Sequence, residues 1–145
     1  LDKNKFEDAL NLIKHRGPDD KGIYFEKEIF LGHRRLSIID LSKAGRQPMT
    51  DKYSGAVITF NGEIYNYVEL RNILLSKGYT FFTKTDTEVL LKCYLEWKND
   101  CVKYLNGMWS FAIWNPNERK VFFSRDRFGV KPFYYCFNSE CLSFS

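Results

Sequence analysis

The sequence predicts an α+β fold in which antiparallel sheets are covered on both faces. Helical and extended segments are interleaved along the first part of the chain, and consecutive hairpins follow. The segments AVITF and KVFF carry apolar residues on both faces, which is typical of strands buried between two layers. Aromatic residues make up 17% of the chain, which favours packed strands over a coiled coil or a disordered tail.

Composition limits the classes of function. A chain of 145 residues is expected to form one domain, 1–145, with a sizeable core. The formal charge is +4, but acidic residues neighbour the basic ones, so no nucleic-acid partner is predicted. No apolar run approaches the roughly 20 residues of a membrane span. The four cysteines contain no C-x-x-C pair and only two histidines accompany them, which predicts reduced cytoplasmic thiols and no metal site.

The first half of the chain is predicted to contain one helix and several strands. Apolar side chains at helical spacing predict a helix over 5–14, and Gly17-Pro18 ends it. The elements that follow are strands at 22–25 and 29–39, a loop over 40–55, and the apolar strand AVITF at 56–60, which runs directly into Asn61-Gly62.

The second half begins with two helices, each with a predicted capping box, Asn66 with Glu69 and Thr85 with Glu88. Gly78 is expected to end the first helix. The predicted buried faces are Tyr67, Leu70, Ile73 and Leu74, and then Val89, Leu90, Cys93, Tyr94 and Trp97. After an irregular piece near 102–105, hairpins are predicted with strands at 108–115 and 119–126, and at 131–137 and 141–145.

The stretch FNGEIYNY contains Asn61-Gly62, a dipeptide typical of tight hairpin turns. No second strand follows, so the prediction is a junction between a buried strand and a capped helix. The Gly62 amide and the Asn61 side chain would supply two hydrogen-bond donors aimed at one point, as in an oxyanion hole. A turn that needs a positive φ at Gly62 is the alternative interpretation of this stretch.

Two charged residues could recognise a ligand. Arg35 shares one face of its strand with Leu31 and His33, and a guanidinium held by packed strands suits bidentate capture of a carboxylate. Asp86 begins a helix, where the macrodipole keeps a carboxylate ionised for an ammonium ligand. The alternatives are a surface ion pair for Arg35 and helix-end complementation for Asp86.

The segment HRGPDD surrounds a Gly-Pro turn and is either a loop that orders over a ligand or an ordinary turn. The segment RDRFGVKP is interpreted as structural. None of the phosphate-binding, serine-hydrolase or zinc-protease motifs is present.

Seven segments in order carry a resemblance to a known family: HRGPDD, LGHRRLSIIDL, QPM, FNGEIYNYVELR, TDTEVLL, NGMWSFAIW and RDRFGVKPFYY. From about Phe6 to its end the chain resembles the class II glutamine amidotransferase domain of asparagine synthetases. The resemblance implies an N-terminal-nucleophile hydrolase fold, an αββα sandwich of two antiparallel sheets between helical layers. It also implies hydrolysis of glutamine to glutamate and ammonia.

The resemblance assigns roles by motif position. Asn61 and Gly62 resemble the oxyanion hole, and Arg35 resembles the partner of the glutamine α-carboxylate. Asp86 with Glu63 resembles the site for the α-amino group, and the loop with Arg16 and Asp19 resembles a border of the pocket. No cofactor is implied for this domain, while ATP and Mg²⁺ would serve a C-terminal synthetase domain. A homodimer is left open.

The family's nucleophile is a cysteine at the mature N-terminus, and this sequence begins at Leu1. We therefore expect the chain to be a piece of an amidotransferase that lacks the nucleophile strand and the synthetase domain. The alternative is a glutamine-binding or structural domain without catalysis. Nothing in the sequence specifies which acid receives the ammonia.

Overall fold

The computed structural model describes residues 2–36 and 43–145. Its helices are α1 (Lys3–Leu12), α2 (Tyr67–Ser76) and α3 (Asp86–Trp97), with 3-10 turns at Lys14–Arg16, Lys43–Gly45 and Lys98–Lys103. Its strands are β1 (Asp20–Glu26), β2 (Ile29–Arg35), β3 (Met49–Thr50), β4 (Val57–Ile64), β5 (Gly107–Asn115), β6 (Lys120–Arg125), β7 (Tyr135–Phe137) and β8 (Leu142–Phe144).

The central element is an antiparallel sheet in the order β3-β4-β5-β6. Strand β4 pairs with β5 along its whole length, from Val57 opposite Trp114 to Ile64 opposite Gly107. The hairpins β1-β2 and β7-β8 form two separate antiparallel pairs. The predicted α+β class with antiparallel sheets is therefore confirmed, as are the β5-β6 and β7-β8 hairpins.

Helices α2 and α3 cover one face of the central sheet. Alternate residues of β4 and β5 meet the helices in one apolar cluster, because side chains alternate between the faces of a strand. Its fully buried members include Ile58, Ile64, Leu74, Leu90 and Ile113. This cluster is the main core of the domain and holds α3 firmly against β4.

The two small hairpins cover the other face. Leu31 of β2 packs with Val57 and Trp114 of the central sheet, and Phe144 of β8 joins the same cluster. Helix α1 lies on the outer side of β1-β2, where Phe6 makes edge contacts with Phe25 and Phe30. The order of layers is thus helix pair, central sheet, hairpin layer and α1.

The two arginines of β2 point in opposite directions, and both directions are covered. Arg34 reaches α1, where its Nε donates to the carbonyl oxygen of Leu10 at 3.1 Å. Arg35 shares its face with Leu31 and His33, which is the face toward β4. Arg35 is therefore the arginine of β2 that lies on the side of the central sheet.

The predicted end of the strand at residue 60 is wrong. Strand β4 continues to Ile64, so Asn61, Gly62 and Glu63 lie within a paired strand and not at a strand-to-helix junction. Asn61 and Gly62 pair with Ser110 and Trp109 of β5, and this pairing prevails over the preference of Asn-Gly for a tight turn. The inference that no hairpin forms at Asn61-Gly62 is confirmed.

The two capping boxes are only partly present. Thr85 caps α3 by accepting from the amide of Glu88, but the Glu88 carboxylate accepts from the Phe82 and Thr83 amides instead of closing the box. Asn66 precedes α2 without capping it, because its side chain bonds to the backbone of Tyr104 and Asn106.

The other boundaries differ in detail. Helix α1 begins earlier than predicted because Asp2 caps it, accepting from the amide of Asn4 at 2.9 Å. Ile73 is 45% exposed and not part of the buried face of α2. Strand β3 lies within the predicted loop. The part of the second predicted strand from 37 to 39 lies outside the described residues.

His33 is half-buried between β2 and β4, and its Nδ1 lies 3.3 Å from the hydroxyl of Thr59. Burial, together with the nearby charge of Arg35, lowers the pKa of His33 to about 4, and the charge of Asp20 partly opposes this shift. The His33 imidazole is therefore neutral in the folded protein at neutral pH.

We predict that the free energy of unfolding decreases as pH falls from 6.5 toward 4. In this range His33 is protonated in the unfolded chain but stays neutral in the folded protein. The loss should approach about 3 kcal/mol. Asp86 contributes with the opposite sign, since its pKa is raised, so the comparison is with His33→Gln. Denaturant unfolding at several pH values measures the difference, and parallel pH profiles for the two proteins would contradict the prediction.

Candidate active site

The amides of β4 alternate between its two sides. Tyr65 donates to the carbonyl of Asn106, on the β5 side, whereas Phe60 and Ile64 donate to the side chains of Gln47 and Asp86 on the other side. The Gly62 amide therefore points to the edge away from β5, between these two side chains. An N–H group that points to this edge can donate to a group bound there.

Gly62 has a close neighbour that excludes any side chain. Its φ is +157°, and a Cβ at this position would overlap the carbonyl oxygen of Met108 and lie 2.7 Å from the Phe60 ring. The glycine lets β4 and β5 approach closely at this point, which fixes the direction of the Gly62 amide.

Strand β2 packs on β4 so that every second residue of one strand meets every second residue of the other. Leu31 packs with Val57, and His33 contacts Thr59. The next residues on these facing surfaces are Arg35 and Asn61. The packing of β2 on β4 that buries Leu31 and Val57 therefore also places Arg35 and Asn61 on the facing sides of the two strands.

The guanidinium of Arg35 lies beside the start of α3. A Cβ on Gly45 would overlap its Nη2 and would lie 3.1 Å from the methyl group of Thr85, the N-cap of α3. Gly45 is therefore a point of close approach that leaves room for the guanidinium. Arg35 and Asp86 are brought to the same end of the fold.

Asp86 is the buried acid of this region, only 5% exposed. Its Oδ2 accepts from the Ile64 amide at 3.0 Å. Burial raises the pKa of the Asp86 carboxyl above its usual 3.8, hydrogen bonds from the Ile64 and Thr87 amides oppose the rise, and the charge of Glu63 adds to it. The expected effect of the helix macrodipole is thus opposed by burial.

Glu63 follows Gly62 on β4 and is half-buried. Its negative charge contributes to the raised pKa of the Asp86 carboxyl. Two acids close together favour a cation between them.

The HRGPDD segment lies next to Arg35. Pro18 forms a bridge with Arg35, and the amide of Asp19 donates to the Arg35 carbonyl oxygen at 3.0 Å. The side chains of Arg16 and Asp19 are exposed. The structure thus places the predicted pocket loop against the strand end that carries Arg35.

Sequence reasoning missed the contribution of residues 45–47, which were assigned to a loop. Arg46 forms a bidentate pair with Asp20, at 2.7 and 2.9 Å, and Gln47 is buried between β4 and α3. The motif QPM marked this region only through the family resemblance. A buried glutamine in a loop has no local pattern that reveals its partners.

The cysteines of the described residues do not supply a nucleophile at this site. Cys93 and Cys101 are fully buried in the main core, where burial raises the pKa of both thiols, that of Cys101 to about 12. A thiol in that state is unreactive. Cys136 is exposed in β7, and Cys141 lies in the turn that precedes β8.

Within residues 2–36 and 43–145, no group of three or more His, Cys, Asp or Glu side chains could hold a metal ion. None of the helices in these ranges is long and apolar enough to cross a membrane.

The region brings together groups of opposite charge and a backbone hydrogen-bond donor. Arg35 supplies a cation, Asp86 and Glu63 supply acids, and Gly62 supplies a backbone donor at the open edge. A cation, two acids and a backbone donor in one region are complementary to the charged groups and the carbonyl group of an amino acid.

Comparison with known proteins gives the family. The model of the glutamine amidotransferase domain family matches residues 1–145. The chain belongs to the class II glutamine amidotransferase family and is homologous to the N-terminal region of asparagine synthetases.

Two relatives are from Bacillus subtilis. The chain is 43% identical over 136 residues to the glutamine-hydrolysing asparagine synthetase 3, covering 92% of the chain and 22% of that protein. It is 49% identical over 124 residues to the glutamine-hydrolysing asparagine synthetase 1, covering 86% of the chain and 20% of that protein. The chain thus spans only about a fifth of the length of these relatives.

Two solved structures share the fold. The glutamine phosphoribosylpyrophosphate amidotransferase from B. subtilis has a TM-score of 0.64 at 21% identity, over 78% of this chain and 26% of that one. The allosteric regulatory enzyme of purine biosynthesis has a TM-score of 0.58 at 23% identity, over 72% of this chain and 24% of that one.

We predict that Gly62→Ala lowers the free energy of unfolding by more than about 2 kcal/mol, because the new methyl group overlaps the β5 backbone. Gly78→Ala is the matched control, since Gly78 also has a positive φ, +90°, but open space around it. It should cost only about 1–2 kcal/mol. Equal losses in denaturant unfolding would show that the approach of β5 does not matter.

Proposed function

We propose that this domain hydrolyses L-glutamine to glutamate and ammonia. The Gly62 amide at the open edge of β4, between the elements that carry Arg35 and Asp86, is the observation that carries the proposal. A free amino acid has a carboxylate and an ammonium, and a glutamine side chain adds a carbonyl group. The region offers one complementary group for each of the three.

In the proposed complex, Arg35 binds the α-carboxylate and Asp86 with Glu63 binds the α-ammonium. The side-chain carbonyl oxygen accepts from the Gly62 amide and from the Asn61 side chain. Arg16 and Asp19 border the pocket on the side of Arg35. The order of layers in the fold supports assignment to the N-terminal-nucleophile hydrolase sandwich.

The proposed reaction follows from these contacts. A thiolate attacks the side-chain amide carbon, and the oxygen becomes an oxyanion that Gly62 and Asn61 stabilise. The α-amine of the cysteine that supplies the thiolate takes the thiol proton and returns it to the leaving nitrogen, so that collapse of the intermediate expels ammonia and leaves a thioester, which water hydrolyses to glutamate and the free thiol. The thiolate would come from the N-terminal cysteine that characterises the family.

We propose that the ammonia serves an ATP-dependent synthetase reaction like that of the relatives, with ATP and Mg²⁺ bound by a synthetase domain. The names of the similar Bacillus subtilis proteins support aspartate as the acceptor. The cytoplasmic location remains a prediction from the free cysteines.

The competing hypothesis is a domain that binds glutamine without hydrolysing it. Two measurements on the full-length protein separate the hypotheses: the coding sequence upstream of Leu1, and release of glutamate from L-glutamine in an enzyme-coupled assay. A cysteine directly after the start methionine together with glutamate release supports the proposal. Glutamine binding without release, in a protein lacking that cysteine, supports the alternative.

We predict that Arg35→Ala raises KM for glutamine by roughly 10²-fold, because a half-buried charge-assisted pair with the α-carboxylate is lost. Arg34→Ala is the matched control, because Arg34 lies on the same strand but contacts α1. Steady-state glutaminase kinetics of both variants provide the measurement. A KM unchanged in Arg35→Ala, or raised equally in both, would contradict the carboxylate assignment.

We predict that Asn61→Ala lowers kcat by roughly 10²-fold with a smaller change in KM, because an oxyanion donor acts mainly in the transition state. Asn66→Ala is the control, since the Asn66 side chain bonds to the 104–106 backbone, away from the β4 edge. If Asn61→Ala lost only stability and retained kcat, its side chain would be structural.

A further inference from the structure

Gln47 is a buried polar residue that the proposed reaction does not use. It is 7% exposed, and only Pro48 separates it from β3. Its carbonyl group lies against β1, at the point where a Cβ on Gly22 would overlap the Gln47 oxygen. The backbone of Gln47 is therefore held by the hairpin layer while its side chain extends toward the central sheet.

The Gln47 side chain joins two elements. Its Oε1 accepts from the Phe60 amide at 2.6 Å, and its Nε2 donates to the Thr87 hydroxyl at 3.3 Å. The Phe60 amide is only a donor, so the oxygen must face β4 and the nitrogen must face α3. A carboxamide is the side chain that accepts at one end and donates at the other.

Both partners of Gln47 are neighbours of proposed site residues. Phe60 directly precedes Asn61, and Thr87 directly follows Asp86. Asp86 in turn accepts from the Ile64 amide, on the same edge of β4. The edge of β4 and the first turn of α3 are thus tied together twice, by Gln47 at Phe60 and by Asp86 at Ile64.

The Gly62 amide lies between these two ties. The amides at 60 and 64 are occupied by protein side chains, and the amide at 62 points in the same direction. Without Gln47, the Phe60 amide would be a buried donor with no partner, and β4 could shift or admit water beside Asn61. Phe60, next to Asn61, would then no longer be linked to Thr87 of α3.

We propose that Gln47 is a positioning residue that aligns the Asn61-Gly62 edge of β4 with Asp86 by bridging Phe60 and Thr87. This inference rests on the proposed glutaminase function. It assigns Gln47 a role in the geometry of the oxyanion donors and not in contact with glutamine. Its loss should therefore affect recognition of the side-chain carbonyl more than recognition of the α-carboxylate and α-ammonium.

The first test compares two ligands in calorimetric titrations of the full-length protein. L-Glutamine engages the whole site, whereas L-norvaline has the same α-groups but no side-chain carbonyl. In Gln47→Met, we expect glutamine affinity to fall about 10-fold and norvaline affinity to change less than about 3-fold. An equal loss for both ligands would mean that Gln47 only stabilises the fold.

The second test uses kinetics and a conservative variant. Gln47→Met should raise KM for glutamine in line with the weaker binding and should also lower kcat about 10-fold, because the oxyanion donors act most strongly in the transition state. Thr87→Val removes only the bond at α3 and should have a smaller effect of the same kind. In Gln47→Glu, the carboxylate can accept from both Phe60 and Thr87, so binding of glutamine should be closer to wild type than in Gln47→Met.

Asn115→Leu is the matched control. Asn115 is also a buried carboxamide, 4% exposed, that joins the central sheet to α3 through the Tyr94 hydroxyl. Its loss should lower stability without changing the glutamine-to-norvaline ratio or kcat. The same ratio change in Asn115→Leu would overturn the inference, as would wild-type behaviour of Gln47→Met. Failure of the wild-type protein to bind glutamine would instead refute the proposed function.

Discussion

The pairing of β4 with β5 is the constraint on which the site depends. It directs the amides of Phe60, Gly62 and Ile64 away from β5, and the same alternation sends Ile58 and Ile64 side chains into the main core. A slip of one residue would expose those apolar side chains and turn the Gly62 amide toward β5. The hydrophobic pattern that folds the domain therefore also determines which backbone donor faces the open edge, and Gly62 permits the close approach that makes this register possible.

The second requirement is that elements distant in sequence meet at that edge, and the segment from Gly45 to Gln47 makes this meeting possible. Gly45 leaves room for the Arg35 guanidinium, Arg46 pairs with Asp20, and Gln47 bridges β4 and α3. The Arg46 pair also matters electrostatically, because it holds the Asp20 carboxylate, which lies opposite Arg35 in the β1-β2 register. An acid that is already paired competes less with a ligand carboxylate for the nearby arginine. The short segment 45–47 thus contacts β1, β2, β4 and α3 and helps to hold these elements together.

The sequence predicted the elements well where periodicity was strong and failed where tertiary partners decided. The apolar face of α3 and the β5-β6 hairpin are visible because their patterns are local. Asn66 has the composition of a helix cap, but its side chain bonds to residues some forty positions later, and no local rule could show this. The continuation of β4 through Asn61-Gly62 likewise depends on β5. Arg35 and Asp86 were recognisable as candidates from their places in their elements, whereas Gln47 was not, because its two partners belong to other segments.

The electrostatics of Asp86 support a cationic ligand at this site. Burial raises the pKa of Asp86, and among residues 2–36 and 43–145 no lysine or arginine forms a salt bridge with it. Its hydrogen bonds from backbone amides hold the carboxylate in place but do not neutralise it. Glu63 adds a second negative charge nearby. An α-ammonium bound between these acids would remove part of the cost of burying the carboxylate, so that binding and deprotonation of Asp86 favour each other. Asp86 differs in this respect from Asp51, which follows β3 and forms a buried ion pair with Lys92 of α3.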